Sequence, residues 1–401
     1  MVFKRSRLIL AIAFTLVTPV AYPADAGRDA SAPEVQKSPL LFYHESALLP
    51  VVDSFLHEFG FDEYVSAGGT EFEEMALLKD WVYRSVPYGL NWNDSELRNA
   101  TSILRRARKG DSFLCTNQSA VFVQCAVSLG WTARNVFLRK STGEEHAGND
   151  IWSNQYRKWV YIDPTWNIHV ERHGVPLGIQ EIRREWIKNG GRDVVFVFGA
   201  GKRVRRYRSG DLPIVQNDSA VWKLVPLGPE WLNYTFEVAV VGRNDFFTCC
   251  GESPGRVWDM LYLIRDHVNR WDRNWPFLGA GTAVPSGRLF HDLNRVDVTI
   301  PHRGTYRPGP LRVKLDGFGK NNYTPNFMEY LVRVNDGDWV SVPGGVYTWH
   351  LKKGTNVLLA RIMNRYGVVG PVTVRILSVG GGHENTVTRS PHRTRRGHHP
   401  G

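Results

Sequence analysis

Apolar residues change their spacing along this chain, and that change limits the folds open to it. In the first half they recur at helical intervals. Phe72, Met75, Leu78, Trp81 and Val82 are separated by Glu73, Glu74, Lys79 and Asp80, which predicts an amphipathic helix over 71–85 ended by Pro87. A second, basic helix is predicted over 100–108, closed by Gly110. The stretch 115–129 carries almost no charge, so it reads as a helix buried nearly all round, stopped by Gly130. Residues 132–139, 159–163 and 193–198 then read as strands, with a basic hairpin around Arg205 completing a first domain near residue 225. From Val296 onward short strands are regularly spaced, at 296–300, 311–315, 330–335, 346–351, 356–364 and 371–377. Asp336-Gly337, Pro343-Gly344-Gly345, Lys353-Gly354 and Tyr366-Gly367 supply turns between them. The fold class implied is α+β. Helices packed on an antiparallel sheet (71–225) are followed by a C-terminal all-β sandwich of the immunoglobulin-like or fibronectin-like kind (296–378). Residues 27–70 form an N-terminal extension, 226–295 a connector without assignment, and 379–401 a disordered basic tail.

A length of 401 residues exceeds what one core usually organises, and 14 Trp and 15 Tyr give ample material for two. Lys4, Arg5 and Arg7, the apolar run from Leu8 to Val17 and Ala24-Asp25-Ala26 have the three parts of a signal peptide over 1–26. That run is shorter than the ~20 residues a membrane span needs, so no transmembrane anchor is expected. The mature chain is expected to be exported, to the periplasm or the extracellular space. The formal charge of +11 is concentrated rather than diffuse. Lys202, Arg203, Arg205, Arg206 and Arg208 form one cluster, and Arg389, Arg393, Arg395 and Arg396 another. In an exported protein the first cluster fits an anionic glycan or cell-envelope polymer rather than nucleic acid; a solvated hairpin face is the other reading. Four cysteines are too few for a disulfide-built scaffold.

Thiol catalysis needs a thiolate beside an imidazole whose aim is set by a third group. Cys115 opens the buried helix, where the helix dipole and free N–H groups favour a thiolate. His146 follows 31 residues later and Asp163 another 17, at the end of the strand that contains Trp159. On neighbouring antiparallel strands these two side chains would meet. Cys125 lies mid-helix and reads as core, and the adjacent Cys249-Cys250 pair has poor metal or redox spacing.

These stretches resemble the transglutaminase-like superfamily, a papain-like fold that runs Cys, His, Asp in chain order. The likeness rests on Gly110 with Cys115, Leu129-Gly130-Trp131-Thr132-Ala133-Arg134, His146-Ala147 and Trp159-Val160-Tyr161-Ile162-Asp163-Pro164-Thr165, and it covers about residues 70–185. Two features depart from the family's pattern: Gly110 lies five residues before Cys115, and Gly148-Asn149-Asp150 replaces the aromatic often found two places after His-Ala. The resemblance implies Cys115 as nucleophile, His146 as base and Asp163 as its orienting group. It also leads one to expect an oxyanion donor upstream of the cysteine, for which Trp92 is the first candidate. Tyr88 and Trp166 are further candidates for the oxyanion site or its wall. No cofactor or metal is expected.

The function expected is that of an exported thiol enzyme, a peptidase, amidase or acyl transferase acting on amides of a protein, a peptide or a cell-envelope polymer. The competing expectation is a non-catalytic cell-envelope binding or scaffold protein that retains the fold.

Overall fold

The computed structural model describes residues 42–45, 49–89, 97–211, 229–250, 261–265, 282–285, 289–290, 292–301, 305–318 and 324–380. The stretch 1–26 read as a signal peptide, the tail beyond Gly380 and Trp92 lie outside the described residues.

Local sequence accounts for the helices that frame the site. Strand β1 (Tyr43–His44) precedes α1 (Pro50–Phe59) and α2 (Phe61–Val65), both within the stretch read as an extension. Helix α3 (Glu71–Ser85) starts where the Thr70 side chain accepts the Glu73 N–H, with Glu71, Glu73 and Glu74 facing the positive end of the helix dipole. Helix α4 (Ala100–Ala107) is capped by Asn99, whose side chain accepts the Ser102 N–H. Helix α5 (Cys115–Ser128) is buried at twelve consecutive positions from Asn117 to Ser128, and Gly130 leaves it at φ 89°. Its buried amides are matched to backbone left open elsewhere: Gln118 donates to the Val86 carbonyl at 2.7 Å and Gln124 to the Arg98 carbonyl at 2.5 Å.

The sheet beneath these helices comprises β2 (Ala133–Arg139), β3 (Glu145–Ser153), β4 (Lys158–Asp163), β5 (Ile168–Arg172), β6 (Val175–Pro176), β7 (Val195–Phe198), β8 (Arg205–Arg208), β9 (Glu237–Val241), β11 (Leu261–Arg265) and β12 (Thr282–Pro285). The two-residue β10 (Arg243–Asn244) pairs with β1 instead. The strand order is β12-β11-β9-β2-β3-β4-β5-β7-β8, with β6 beside β5, and every pairing except β11 with β12 is antiparallel. One face carries α1 to α5, in an apolar cluster that joins Phe55, Phe61, Leu78 and Val121 to Phe137, Ala147, Ile162 and Val241. The other face is covered by α6 (Ile179–Asn189) and the 3₁₀ segment Pro229–Phe236, in a second cluster of Val136, Tyr161, Ile182, Trp231 and Val240.

The sheet therefore does not close near residue 225, where the sequence reading ends the first domain. Glu237–Val241 pairs with β2 over four residues, from Val136 opposite Val240 to Arg139 opposite Glu237. The segment 226–295, read as a connector, adds β9, β11 and β12 to one edge of the sheet. Its strands are short and share no turn signal with their spatial neighbours, so their sequence gives no hint of the pairing.

After residue 296 come two smaller antiparallel sheets. One holds β13 (Asp297–Thr299), β14 (Gly309–Asp316) and β17 (Val346–Leu351). The other holds β15 (Phe327–Val334), β16 (Val340–Val342), β18 (Gly354–Asn364) and β19 (Thr373–Val379). Val298, Val313, Leu315 and Trp349 of the first share one apolar cluster with Tyr330, Val332, Leu358, Ile362 and Leu377 of the second. This pair touches the first region at the far end of α5. Asn364 donates to the Gly130 carbonyl at 2.6 Å, and a side chain at Gly130 would meet Tyr366 at 2.1 Å. Among the described residues no helix is long and apolar enough to cross a membrane.

Candidate active site

The α5 N-terminus is built from both sides. Leu114, the residue before the helix, donates its N–H to the Asn117 side chain at 3.0 Å, and Asn117 in turn donates to the Leu97 carbonyl at 2.7 Å. The chain enters along residues 87–89: Phe113 donates to the Pro87 carbonyl at 2.8 Å and Gly89 to the Phe113 carbonyl at 3.0 Å. Cys115 is thus held in the first helical turn, half-buried, where backbone N–H groups point out of the helix. Gly110 does a different job from the one its place in the family pattern suggests. At φ 100° it ends α4, donating to the Ala107 carbonyl.

Strands β3 and β4 are antiparallel, with Asn149 opposite Ile162 and Asp150 opposite Tyr161. Period-two alternation then places His146, Gly148, Tyr161 and Asp163 on one face. His146 Nε2 lies 2.6 Å from Asp163 Oδ2, both side chains being buried. Cys115 also favours the charged form of this ring, and with Nε2 engaged by Asp163 the nitrogen left for the sulfur is Nδ1. Asp163 is saturated by further donors. Tyr161 Oη donates to Oδ2 at 3.0 Å, and the Thr165 and Trp166 N–H groups donate to Oδ1 at 2.9 and 3.3 Å. Burial alone would disfavour the imidazolium. The charge and hydrogen bond of Asp163, with Cys115 on the other side, outweigh it and lift His146 to about 9.

Tyr161 also fills the space beside Gly148. A Cβ on Gly148 would meet Tyr161 Oη at 2.1 Å, so the space above residue 148 is filled from the neighbouring strand by a ring that reaches Asp163. Sequence reasoning passed over Tyr161, although its position two residues before Asp163 was the signal that it shares the carboxylate's face.

Trp166 stacks on His146 with ring centroids 3.8 Å apart and planes at 42°, and its Nε1 is buried without a hydrogen-bond partner among the described residues. Tyr88 lies beside the strand entering Cys115, and its phenol is pushed up to about 12 by burial and by the Cys115 charge. Both residues therefore border the site. A residue absent from the sequence reading joins them: Tyr234, 5.6 Å from His146, donates to Glu144 Oε2 at 3.3 Å and lies under Lys140 Nζ at 4.5 Å. It comes from the segment read as a connector, so nothing in the sequence tied it to His146. Cys125 is wholly buried, and burial drives its thiol well above the ordinary range. The side chains of Cys249 and Cys250 lie outside what is described.

The family model of the Transglutaminase-like superfamily matches residues 61–164, a span that contains Cys115, His146 and Asp163 and stops short of Trp166. No curated protein matches the chain. Among solved structures the chain is similar to a TGase (16% identity over 29% of this chain and 32% of that one, TM-score 0.24). It is also similar to a protein provisionally described as a cysteine protease from Cytophaga hutchinsonii (15%, 47% and 64%, TM-score 0.24). A third similarity is to a red sea bream transglutaminase (10%, 77% and 68%, TM-score 0.21). The chain spans about a third of the first of these and just under two thirds of the second. At such TM-scores none of the three bears on what this chain does.

Proposed function

We propose that the chain is an exported thiol enzyme acting on amide bonds of a protein or peptide substrate, with Cys115 as nucleophile, His146 as acid and base, and Asp163 as the orienting group. The observation that carries this is the buried imidazole held at 2.6 Å by Asp163 through Nε2, whose charged form is favoured further by Cys115, a half-buried cysteine at a helix N-terminus. In the first step the Cys115 sulfur bonds to the amide carbonyl carbon and the C–N bond breaks. The leaving nitrogen takes the proton from His146 Nδ1, which leaves a thioester and a neutral ring. In the second step water or an amine attacks the thioester, gives its proton to Nδ1, and releases an acid or a new amide together with the Cys115 thiolate. Backbone N–H groups of the first α5 turn offer charge stabilisation to the oxyanion; Tyr88 and Trp166 wall the site, and Trp92 is proposed as a second donor.

The two C-terminal sheets are proposed to form an immunoglobulin-like or fibronectin-like sandwich that places the enzyme on its target. Lys202, Arg203, Arg205 and Arg208 are exposed at the edge of the central sheet, which supports contact with an anionic glycan of the cell envelope.

The test is alkylation of Cys115 across pH. Cys115 is expected to react faster than a free thiol near neutral pH, and His146→Ala to remove that advantage. A Cys115 no faster than a free thiol at every pH would instead support the non-catalytic scaffold.

A further inference from the structure

Lys79 of α3 is wholly buried and makes no ion pair among the described residues. Its ammonium donates to two backbone carbonyls, that of Asn167 at 3.1 Å and that of Gly199 at 2.9 Å. The next residue of the helix holds the same target by its side chain: Asn167 Nδ2 donates to Asp80 Oδ1 at 2.6 Å. Asp80 is itself fixed by Arg84 at 2.6 Å and Tyr64 at 2.5 Å. Asn167 sits at φ 55°, in the left-handed region, and its carbonyl also accepts the Gly199 N–H at 2.9 Å. It closes the turn in which the Thr165 and Trp166 N–H groups bond Asp163, and Trp166 is the ring stacked on His146.

A buried cation without a carboxylate partner is costly, and an apolar side chain of that length would fill the space without the desolvation penalty. Burial lowers Lys79 to about 7, opposed by the charges of Asp80, Asp163 and Glu171, so the ammonium lies within electrostatic reach of the carboxylate that holds His146. Stability alone gives no reason for a lysine here. Holding a strained turn does.

We infer that Lys79 is a positioning residue of the thiol site, its ammonium clamping the Asp163–Asn167 turn to α3 and so setting the aim of Asp163 and Trp166 at His146. The inference rests on the thiol reading above. It concerns geometry, because Lys79 touches neither the sulfur nor the imidazole.

The experiment measures alkylation of Cys115 by iodoacetamide at pH 6, read from the mass of the Cys115 peptide, in the full chain, alongside kcat and KM on any amide it turns over. Lys79→Met is expected to slow alkylation by about tenfold to a hundredfold, with kcat falling in step and KM little changed, as a small misplacement of reacting groups does. Asn167→Gly keeps the left-handed backbone and the carbonyl but loses the Asp80 arm, and should slow the reaction by a smaller factor. Ile103→Val, in the core of α4 away from the site, should leave it alone at comparable loss of Tm. A Lys79→Met protein within twofold of wild type, or an Ile103→Val protein that falls equally, overturns the inference while leaving the thiol reading standing. If Lys79→Met does not fold, wild-type reactivity in Lys79→Gln, which removes the ammonium from the two carbonyls, overturns it. A wild-type Cys115 with no His146-dependent advantage overturns the thiol reading first and this inference with it.

Discussion

Strands of the central sheet and of the C-terminal sheets bury themselves differently. β2 is buried at six successive positions, β3 at eight and β4 at five, because helices cover one face and α6 with Pro229–Phe236 the other. In β17 and β19 buried positions are separated by exposed or half-buried ones, since only one face meets the partner sheet. A strand covered on both sides can hide charge. Arg134, Asp150, His146 and Asp163 are all 4% exposed or less, whereas the described buried polar residues after 296 are Thr324, Asn356 and Asn364, none of which titrates in the working range. Chemistry needing a dry, fixed acid and base therefore belongs to the first region.

The largest contrast should appear in activity. Cys115→Ala should abolish turnover of a small amide, and His146→Ala should lower it by about 10²–10⁴, while Ile376→Thr on exposed β19 should leave it unchanged. Steady-state assay of the three variants checks this, and an active Cys115→Ala protein would break the comparison.

Truncation tests where the first region ends. A chain stopped at Val225 loses β9 and β11 and bares the edge of β2, so it should be insoluble. One stopped at Leu293 keeps the central sheet intact. It should fold with a lowered Tm, having lost the Asn364 and Tyr366 contacts to Gly130. Circular dichroism and sedimentation tell the two apart.

In stability, Arg134→Met leaves Asp150 buried without its partner at 3.1 Å and strips a guanidinium lying 3.8 Å over Trp159. It should cost about 3–5 kcal/mol, while Ile376→Thr should stay within about 0.5 kcal/mol. Chemical denaturation gives both values.

The pH dependence sharpens the picture of His146. Its folded pKa of about 9 lies above the unfolded value of about 6.5. The stability it contributes is thus fully present below about 6.5 and is lost as pH rises through about 9. The amide acylation rate, which needs the imidazolium proton for the leaving nitrogen, should fall over the same upper limb. Asp163→Asn should move that limb to lower pH in a pH–rate profile.

A smaller effect than that of Arg134→Met is expected of Gly148→Ala. The new methyl displaces Tyr161 from Asp163 and should cost about 1–3 kcal/mol, with a modest loss of kcat and an unchanged KM.

Much of this molecule was legible in order along the chain. Helix α3 runs over 71–85 as its periodicity predicts, α5 departs from 115–129 by one residue, and β17 covers 346–351 as read, because each is specified by residues three, four or two apart. Cys115, His146 and Asp163 were singled out by their order along the chain and by the resemblance those stretches carry, and the structure places each at or next to the start or end of an element. What local pattern could not carry is pairing between distant segments. That β9 would extend the sheet beside β2, that Tyr234 would reach His146 from 88 residues away, and that Lys79 would hold the Asn167 carbonyl depend on which surfaces are left uncovered once the helices have packed. Sequence determined where Cys115, His146 and Asp163 stand on their elements. Only the closing of the sheet between two helical layers decided what surrounds them, because desolvation and buried hydrogen bonds exist only after distant segments have met.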